Sequence, residues 1–328
     1  MADDIRFDGR AILVTGAGRG LGRAQALLLA SRGAKVVVAD NGSTMHGGPI
    51  AGKGASQGPA AEVVTEITAA GGEAAACTAD LSTEAGADAA VAASLDAFGR
   101  IDGIAHYAST CPPLVPPDQI VSRDLELVFA INPLAAIRMA RAAWPHMAAQ
   151  GYGRLLFIPS GGLYGARGNT DYASAKSAYL GLIRCLALEG KAHGIGVNAV
   201  MPAARTRMTE GFPPGSFADW FHKTMAPEKV AVSGAFLLSE ACGVTGEAFA
   251  VGGGRMARVT VAEVEGVTGL DTIEDARDAM PRVLADTSFF YPRDLAERSR
   301  CVSAVFGFDG GMDTNSGYAL VGNSQSGD

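Results

Sequence analysis

Cysteine is scarce in this chain, and the cysteines present form no pattern. Five occur among 328 residues, and no two of them make a Cys-x-x-Cys pair. A disulfide framework uses paired cysteines, and a zinc cage holds them at short, regular spacing. We therefore expect a protein of a reducing compartment, with neither disulfides nor a metal centre.

Basic residues and long apolar runs are also lacking. Lysine and arginine total 27 against 34 acidic residues, and the net charge of −7 argues against a nucleic-acid partner. No apolar run is long enough to cross a bilayer, and the N-terminus has neither the basic nor the apolar region of a signal peptide. These absences predict a cytoplasmic protein that binds neither nucleic acid nor membrane.

The segment Ala11–Asp40 carries the clearest motif. A short apolar run ends at Thr15, and residues 16–22 read Gly-Ala-Gly-Arg-Gly-Leu-Gly before an alanine-rich helix and a valine-rich strand. In such a unit the glycines permit a tight turn, a close approach of backbone N–H groups to a pyrophosphate, and close packing of the helix on the sheet. The predicted dinucleotide site contains Gly16, Arg19, Gly20, Leu21 and Gly22.

Asp40 determines which nucleotide is favoured. It ends the second strand about 20 residues after the glycine turn, where a carboxylate accepts the ribose hydroxyls of NAD and repels the 2′-phosphate of NADP. Arg19 has the opposite effect, because an arginine in the turn can pair with a phosphate. Since Asp40 would lie directly on the ribose, the sequence favours NAD over NADP.

Apolar strand-like segments alternate with helical ones as far as residue 257. This alternation predicts an α/β fold, a doubly wound parallel sheet (a Rossmann fold) with helices on both faces. We expect a dinucleotide-binding domain over 1–257, a C-terminal extension over 258–306 that packs on the domain or at a subunit interface, and a flexible tail over 307–328. Residues 42–58 predict a loop, and residues 205–224 predict a mobile lid.

Three predicted elements surround the expected site. One helix is predicted from Ser122 to Met139, with a bend at Pro133. A second, uninterrupted helix is predicted over residues 172–191, and the last strand over residues 248–251.

Tyr172 and Lys176 form the candidate catalytic pair. They are four residues apart, so a helix places both on one face. A phenol with a pKa of about 10 is a poor base at neutral pH, but an adjacent ammonium and a positive nicotinamide ring lower that pKa. The pair follows the strand that ends at Ile158, so we interpret Tyr172 as the acid/base and Lys176 as its partner.

Together these motifs resemble the short-chain dehydrogenase/reductase family over roughly residues 5–255. The matching motifs are Thr15–Gly22, Asp80-Leu81, Asn132, the Tyr172/Lys176 pair and Pro202–Thr206. The resemblance implies a nicotinamide cofactor and the interconversion of a secondary alcohol and a ketone by hydride transfer. Arg141–Met147 and Phe249–Gly254 are similar to the branch of this family that acts on 3-hydroxyacyl-CoA or 17β-hydroxysteroid substrates.

The resemblance also implies individual roles. Asn132 would hold a water in a proton relay, although an asparagine before Pro133 can also serve only to kink a helix. The residues expected beside the cofactor are Asp80, Leu81, His106, Ala108 and Thr206. Among them, Asp80 would contact the adenine and Thr206 the nicotinamide amide. Relatives assemble into oligomers, so we expect a homodimer or homotetramer, or a heteromer with a homologous subunit.

Two departures from the family pattern bear on activity. The motif Asn-Asn-Ala-Gly at the end of the fourth strand reads His-Tyr-Ala-Ser over 106–109, so larger side chains crowd the adenine side or change how the strand is braced. The serine that polarises the substrate is replaced by Pro159, and Ser160 comes one residue late. A one-residue shift turns a side chain to the other face unless the turn rearranges. Tyr164 is a second candidate donor.

Two hypotheses of different class follow. The first is an active NAD-dependent alcohol dehydrogenase with Tyr172, Lys176, Asn132 and Ser160 as catalytic residues. The second is a cofactor-binding, catalytically silent subunit of a heteromeric dehydrogenase. Loss of one donor of this kind typically costs ~10²–10³ in rate, so the change at Pro159 impairs chemistry without erasing it. Retention of the other three residues favours the first hypothesis.

The sequence leaves the substrate open between two chemical classes. An acyl-CoA needs basic groups for its phosphates, and the candidates are Arg205, Arg207, Lys223, Arg255 and Arg258. A steroid or another bulky apolar alcohol suits an aromatic lid instead, and the candidates there are Phe212, Phe217, Trp220 and Phe221.

Overall fold

The computed structural model describes residues 4–46 and 58–310. Most of the loop predicted over 42–58 and most of the tail predicted over 307–328 lie outside the described residues. The chain forms two compact units, Met1–Val259 and Thr260–Asp328.

The first unit is built on one sheet of eight strands within the described residues, ordered β3-β2-β1-β4-β5-β6-β7-β8. Every neighbouring pair is parallel except β7 and β8. The strands are β1 (Ala11–Thr15), β2 (Lys35–Ala39), β3 (Glu73–Cys77), β4 (Gly103–His106), β5 (Gly153–Phe157), β6 (Ile195–Ala203), β7 (Ala248–Gly252) and β8 (Arg255–Val259). The doubly wound α/β fold predicted from the sequence is confirmed.

Helices cover both faces of this sheet. They are α1 (Gly20–Ser31), α2 (Pro59–Ala69), α3 (Glu84–Phe98), α4 (Ser122–Phe129), α5 (Ala135–Gln150), α6 (Thr170–Ser177), α7 (Tyr179–Gly190), α8 (Ser216–Thr224) and α9 (Pro227–Leu238). Alternate residues of each strand enter different cores: Leu13 packs with α3, α5 and α7, whereas Ile12 and Val14 pack with α1, α2 and α9. The period of two in an apolar strand thus produces two hydrophobic layers.

Two predicted helices are interrupted. A wider π turn, Ala130–Leu134, separates α4 from α5, because Pro133 lacks an N–H for the regular helical ladder. The helix predicted as continuous over 172–191 starts earlier, at Thr170, and is divided at Ala178 into α6 and α7. The first interruption places Asn132 inside the π turn.

The end of the sheet also differs from the prediction. After β7, Gly253 and Gly254 take positive φ angles of 60° and 88°, and the chain reverses into the antiparallel strand β8. This strand covers the edge that β7 would otherwise leave unpaired. The boundary predicted after residue 257 therefore falls inside β8.

The second unit contains a short antiparallel pair, β9 (Glu263–Val264) with β10 (Phe289–Phe290), and the helices α10 (Ile273–Ala285) and α11 (Leu295–Val305). Thr272 starts α10 with a reciprocal capping box, in which its side chain and that of Asp275 each bind the other's backbone N–H. Across both units, none of the helices described is long and apolar enough to span a membrane.

Candidate active site

The glycine turn joins β1 to α1 at the carboxyl edge of the sheet. A Cβ atom on Gly16 would meet the backbone N of Ala108 at 2.7 Å, and one on Gly22 would meet the carbonyl oxygen of Gly16. The turn is therefore closed against β4 and against its own helix, with no room for side chains at these positions. The backbone N–H groups at the start of α1 remain available to an anion.

Asp40 is held against this turn from the end of β2. Its Oδ2 accepts the N–H of Gly18 at 3.0 Å, and its Oδ1 accepts the N–H of Gly42 at 2.8 Å. The half-buried carboxylate thus lies beside the glycine turn, where the sequence predicts a ribose. Arg19, immediately before α1, is also half-buried.

The remaining predicted cofactor residues lie at the same edge of the sheet or follow its strands. The methyl group of Thr206 lies 3.8 Å from the position of a Cβ on Gly20, so the segment after β6 contacts the glycine turn. Asp80 is exposed after β3 and accepts the N–H of Ser82 at 3.0 Å, while Leu81 is buried.

Helix α6 brings Tyr172 and Lys176 together, as the spacing predicts. Lys176 is only 2% exposed, its Nζ lies 5.7 Å from the Tyr172 ring centre, and it donates to the carbonyl of Ile158 at 2.9 Å. Burial lowers the pKa of this lysine to about 7.

The hydroxyls of Ser160 and Ser109 lie close enough to the Tyr172 phenol to influence its ionisation. Burial raises the pKa of this phenol to about 12, and the two hydroxyls oppose the rise because they donate to the phenolate. The half-buried Cys111 thiol is close enough to affect the same group. Tyr172, the predicted acid/base, thus has hydroxyl groups nearby that favour its phenolate form.

Ser160 starts a local turn after β5. Its backbone is extended, with φ −140°, and its Oγ accepts the N–H of Gly162 at 3.1 Å, which starts a single helical turn over Gly161–Tyr164. Ser160 influences the ionisation of Tyr172 although the count from the tyrosine falls on Pro159. Tyr164, the other candidate donor, is 72% exposed.

Asn132 is fully buried in the π turn with both ends of its amide engaged. Its Nδ2 donates to the carbonyl of Val128 at 2.7 Å, and its Oδ1 accepts the Ser109 hydroxyl at 2.9 Å. The wide turn directs the amide towards the loop after β4 instead of leaving it in a regular helix. Asn132 is thus tied to Ser109 in the loop after β4.

His106 braces the sheet with both ring nitrogens. Its Nε2 lies 2.9 Å from the carbonyl of Ile131, so Nε2 carries the proton, and Nδ1 accepts the Thr15 hydroxyl at 2.7 Å. Thr15 in turn accepts the N–H of Ala108 at 3.1 Å. Burial, assisted by Lys176, lowers the pKa of His106 to about 4, so the ring is neutral.

This geometry supports one of the two effects expected of the larger side chains. His106 is fully buried and ties β4 to β1 and to the π turn, so it braces the strand. Tyr107 donates to Gln25 Oε1 at 2.9 Å, and burial raises its pKa. The cofactor contacts expected at His106 and Ala108 stay predictions.

Ser109 was not selected as a site residue by the sequence. It stands where the family motif Asn-Asn-Ala-Gly ends in glycine, and this replacement was the only feature of the sequence that drew attention to it. A hydroxyl at this position becomes informative only once the π turn and α6 place their side chains around it.

The lid predicted over 205–224 contains an aromatic cluster centred on α8. Phe212 packs against Phe217 and Phe221 with ring centres 5.7 and 5.1 Å apart, and Phe217 packs against Trp220 at 5.8 Å. Phe221 is buried, but Phe217 and Trp220 are 60% and 50% exposed. Among the basic candidates for an acyl-CoA, Arg258 is paired with Glu247 at 2.7 Å.

Comparison with known proteins adds the family. The model of the short chain dehydrogenase family matches residues 10–214. Peroxisomal multifunctional enzyme type 2 of Mus musculus is 41% identical over 259 residues, which cover 77% of this chain and 33% of the relative. A short-chain type dehydrogenase/reductase of Mycobacterium tuberculosis is 38% identical, with 77% of this chain and 85% of the relative covered. The chain thus spans about a third of the mouse enzyme.

Solved structures agree with this assignment. Full-length peroxisomal multifunctional enzyme type 2 from Drosophila melanogaster superposes with a TM-score of 0.74 at 27% identity, over 92% of this chain and 50% of that one. A 7α-hydroxysteroid dehydrogenase complexed with NADH and 7-oxo glycochenodeoxycholic acid gives a TM-score of 0.65 at 28% identity, over 77% and 97%. With its glycine turn, its Tyr172/Lys176 pair and these matches, the chain belongs to the short-chain dehydrogenase family.

Proposed function

We propose that this chain is an NAD-dependent oxidoreductase that interconverts a secondary alcohol and a ketone, with Tyr172 as acid/base. The observation that carries the proposal is the buried Tyr172/Lys176 pair, in which the lysine Nζ lies 5.7 Å from the phenol ring centre, with the Ser160 hydroxyl close enough to influence the phenol. A donor for the substrate oxygen is thus present beside the acid/base although Pro159 replaces the usual serine.

The chain's residues would divide the work as follows. In the direction of alcohol oxidation, the Tyr172 phenolate takes the proton of the substrate hydroxyl, and the Ser160 hydroxyl holds the same oxygen as it becomes a carbonyl. A bound nicotinamide would supply the hydride acceptor. Lys176 would bind the nicotinamide ribose, and its ammonium form would supply positive charge that favours the phenolate.

The residues of the cleft fit a dinucleotide, and Asp40 supports NAD in particular. At Gly20, where α1 begins, the nearest atom to a Cβ would be the Thr206 methyl at 3.8 Å, so the N-terminus of the helix has space beside it. Asp40 lies beside this turn with two carboxylate oxygens that can accept ribose hydroxyls. Its negative charge would oppose the 2′-phosphate of NADP, so we propose NAD as the cofactor, with the other contacts at Asp80 and Thr206.

The substrate proposal is a 3-hydroxyacyl-CoA or a hydroxysteroid-like compound. The exposed rings of Phe217 and Trp220 support an apolar substrate, and the exposed Arg205 and Arg207 leave room for phosphate contacts. One relative with a solved structure is complexed with an oxidised bile acid. A substrate with an apolar body thus fits the lid. Activity on 3-hydroxyacyl-CoAs compared with activity on hydroxysteroids tests whether the substrate carries a CoA group.

The alternative is a catalytically silent subunit of a heteromeric dehydrogenase. Pro159 is the observation that favours it, because the usual serine position has no hydroxyl. The buried Tyr172, Lys176 and Asn132 favour the active enzyme, since a silent subunit has no use for a buried lysine with a lowered pKa.

Variants at the acid/base and at the donor test the proposal. Tyr172→Phe should abolish turnover, and Ser160→Ala should lower kcat by ~10²–10³, because one donor to the reacting oxygen is lost. Both should bind NADH as the wild type does, measured by cofactor fluorescence. Tyr164→Phe is the matched control, because its exposed hydroxyl should leave kcat near the wild-type value. Turnover by the Tyr172→Phe variant would refute the proposal. If kcat fell in Tyr164→Phe but not in Ser160→Ala, Tyr164 and not Ser160 would be the donor to the substrate oxygen.

Assembly and location remain proposals. We propose a homodimer or homotetramer, because apolar side chains are exposed around α5 and α7. They are Leu134 just before α5, Ile137 on α5 and Leu188 on α7. A heteromer with a homologous subunit belongs to the silent-subunit alternative. Several relatives are named as peroxisomal enzymes, so the cytoplasmic location stays a prediction from sequence.

A further inference from the structure

Tyr179 is a buried phenol that the proposed reaction leaves unused. It is the first residue of α7, it is fully buried, and its hydroxyl has no hydrogen-bond partner among the residues that the structure describes. Phe157 of β5 stacks on its ring, with ring centres 5.7 Å apart and planes inclined by 19°. Packing therefore fixes the ring in the core, and no hydrogen bond of the hydroxyl orients it.

Lys176 lies beside this ring as well as beside the acid/base. Its Nζ is over the Tyr179 ring, 5.5 Å from the ring centre, and over the Tyr172 ring at 5.7 Å. A cation within about 6 Å of an aromatic ring centre is attracted by the negative face of the ring, and the attraction is stronger where water is excluded. Lys176 is buried, so both rings act on its ammonium away from water.

The Lys176 ammonium has little other support. Its Nζ donates to the carbonyl of Ile158 at 2.9 Å, and none of the ion pairs among the described residues includes it. Burial disfavours the charged form and lowers the pKa of this lysine. An aromatic face beside Nζ has the opposite effect, because it attracts the ammonium and not the neutral amine.

We propose that Tyr179 is a positioning residue for the proposed reaction: its ring holds Lys176 beside Tyr172 and favours the charged ammonium. The consequence for catalysis rests on the proposed function, because this charge assists chemistry only if Tyr172 is the acid/base. No proton passes through Tyr179, since burial raises the pKa of its own phenol well above the usual value. The ring of Tyr179 is thus the part that acts, and its hydroxyl is not.

The other titratable groups around the ammonium stay constant in a test of this role. They are His106 at the end of β4, Cys111 in the loop after β4, Tyr172 on α6, and Asp171 at the start of α6, which interacts with Cys111. Within the described chain, none of them forms a hydrogen bond with the Tyr179 hydroxyl. A change of this ring therefore leaves their hydrogen bonds in place.

Replacing the ring by a flexible apolar side chain should lower the pKa of Lys176. In Tyr179→Met this pKa should fall by about half a unit to one unit, which is about a three- to tenfold smaller ratio of ammonium to amine at a given pH. Tyr179→Phe keeps the ring and should keep the wild-type value. NMR titration of protein labelled with ¹³C at lysine Cε measures the pKa, and loss of one signal in Lys176→Arg assigns it.

Two results of this titration would overturn the inference. One is a pKa of Lys176 that stays the same or rises in Tyr179→Met. The other is a pKa that falls as far in Tyr179→Phe as in Tyr179→Met, because the ring is then not the group that acts.

A second core variant separates the ring from packing. Ile183 lies one turn further along α7 in the same core cluster and is also buried. Ile183→Ala should lower the thermal midpoint, because it leaves a cavity, but it should not move the pKa of Lys176. An equal fall of this pKa in Ile183→Ala would assign the effect to packing and contradict the role of Tyr179.

Graded fluorination tests the ring with almost no change of shape. Phenylalanine derivatives that carry one, two or three ring fluorines at position 179 weaken the negative face stepwise while they fill the same space. The pKa of Lys176 should fall with each added fluorine. A pKa that does not depend on the number of fluorines would overturn the inference, even if Tyr179→Met failed to fold.

Turnover separates this inference from the proposed function. In alcohol oxidation, the alkaline fall of kcat/KM should begin at lower pH in Tyr179→Met than in Tyr179→Phe, because less ammonium supports the Tyr172 phenolate. Equal profiles alongside a shifted pKa of Lys176 would contradict the catalytic consequence. If Tyr172→Phe retained turnover, the proposed function would fail while the NMR result for Tyr179 stood, so the two failures are distinct.

Discussion

His106 stands where the family motif has asparagine, and this substitution makes the stability of the fold depend on pH. The family's asparagine has no charge to gain, whereas this histidine has a pKa lowered to about 4 by burial. An unfolded histidine titrates near 6.5. Between these two values the unfolded chain therefore binds a proton that the folded chain does not.

This difference predicts an acid-sensitive fold. Stability from His106 is fully present above pH 6.5 and is lost as the pH falls towards 4, by up to about 3 kcal/mol. His106→Asn should flatten this part of the curve, measured as the free energy of unfolding in urea at several pH values. His146→Asn, at an exposed histidine, should keep the wild-type slope. Equal slopes for His106→Asn and wild type would contradict a neutral, buried ring.

The residues of the site differ in how far the sequence could predict them. Tyr172 and Lys176 were predictable because helical spacing alone puts them on one face. The approach of Ser160 was not, because it depends on the single helical turn at Gly161–Tyr164, which no periodicity encodes. The contact of Ser109 was missed for the same reason, since its partner Asn132 lies in the π turn.

At the scale of elements, α8 carries the clearest prediction. Its aromatic residues divide into Phe221, which is buried and holds the cluster together, and Phe217 and Trp220, which present their rings outward. If the lid binds the apolar body of the substrate, Trp220→Ala should raise KM about tenfold, the equivalent of about 1.4 kcal/mol, with Kd for NADH unchanged.

A matched variant separates this effect from folding. Phe221→Ala should lower the thermal midpoint, because a buried phenylalanine contributes about 3–5 kcal/mol relative to alanine. Trp220→Ala should leave that midpoint unchanged while it raises KM. An unchanged KM in Trp220→Ala would show that the lid does not bind substrate.

The elements were predicted where the pattern is long and regular, and missed where it is local. The apolar runs of β1, β2 and β4–β6 alternate with helical segments, and this pattern predicts a parallel sheet because strands buried on both faces are apolar throughout. The break at Ala178 and the turn into β8 were missed, because an alanine and a pair of glycines are compatible with several structures. The bend expected at Pro133 proved to be a π turn, which depends on what the freed carbonyls contact.

At the scale of the whole molecule, the fold followed from sequence and the assembly did not. Seven parallel strands and their covering helices follow from one repeated pattern, whereas a subunit interface depends on the shape of exposed faces. We propose that residues 1–259 form the catalytic domain, because β8 belongs to its sheet.

The central claim is that this chain is by itself an active NAD-dependent dehydrogenase. The most direct measurement follows absorbance at 340 nm with homogeneous protein, NAD⁺ or NADP⁺, and a panel of 3-hydroxyacyl-CoAs and hydroxysteroids. We predict reduction of NAD⁺ by at least one member, weaker reduction of NADP⁺ because of Asp40, and no signal from Tyr172→Phe. Tight binding of NADH without turnover of any panel member, restored by adding a homologous subunit, would contradict the claim and identify a silent subunit.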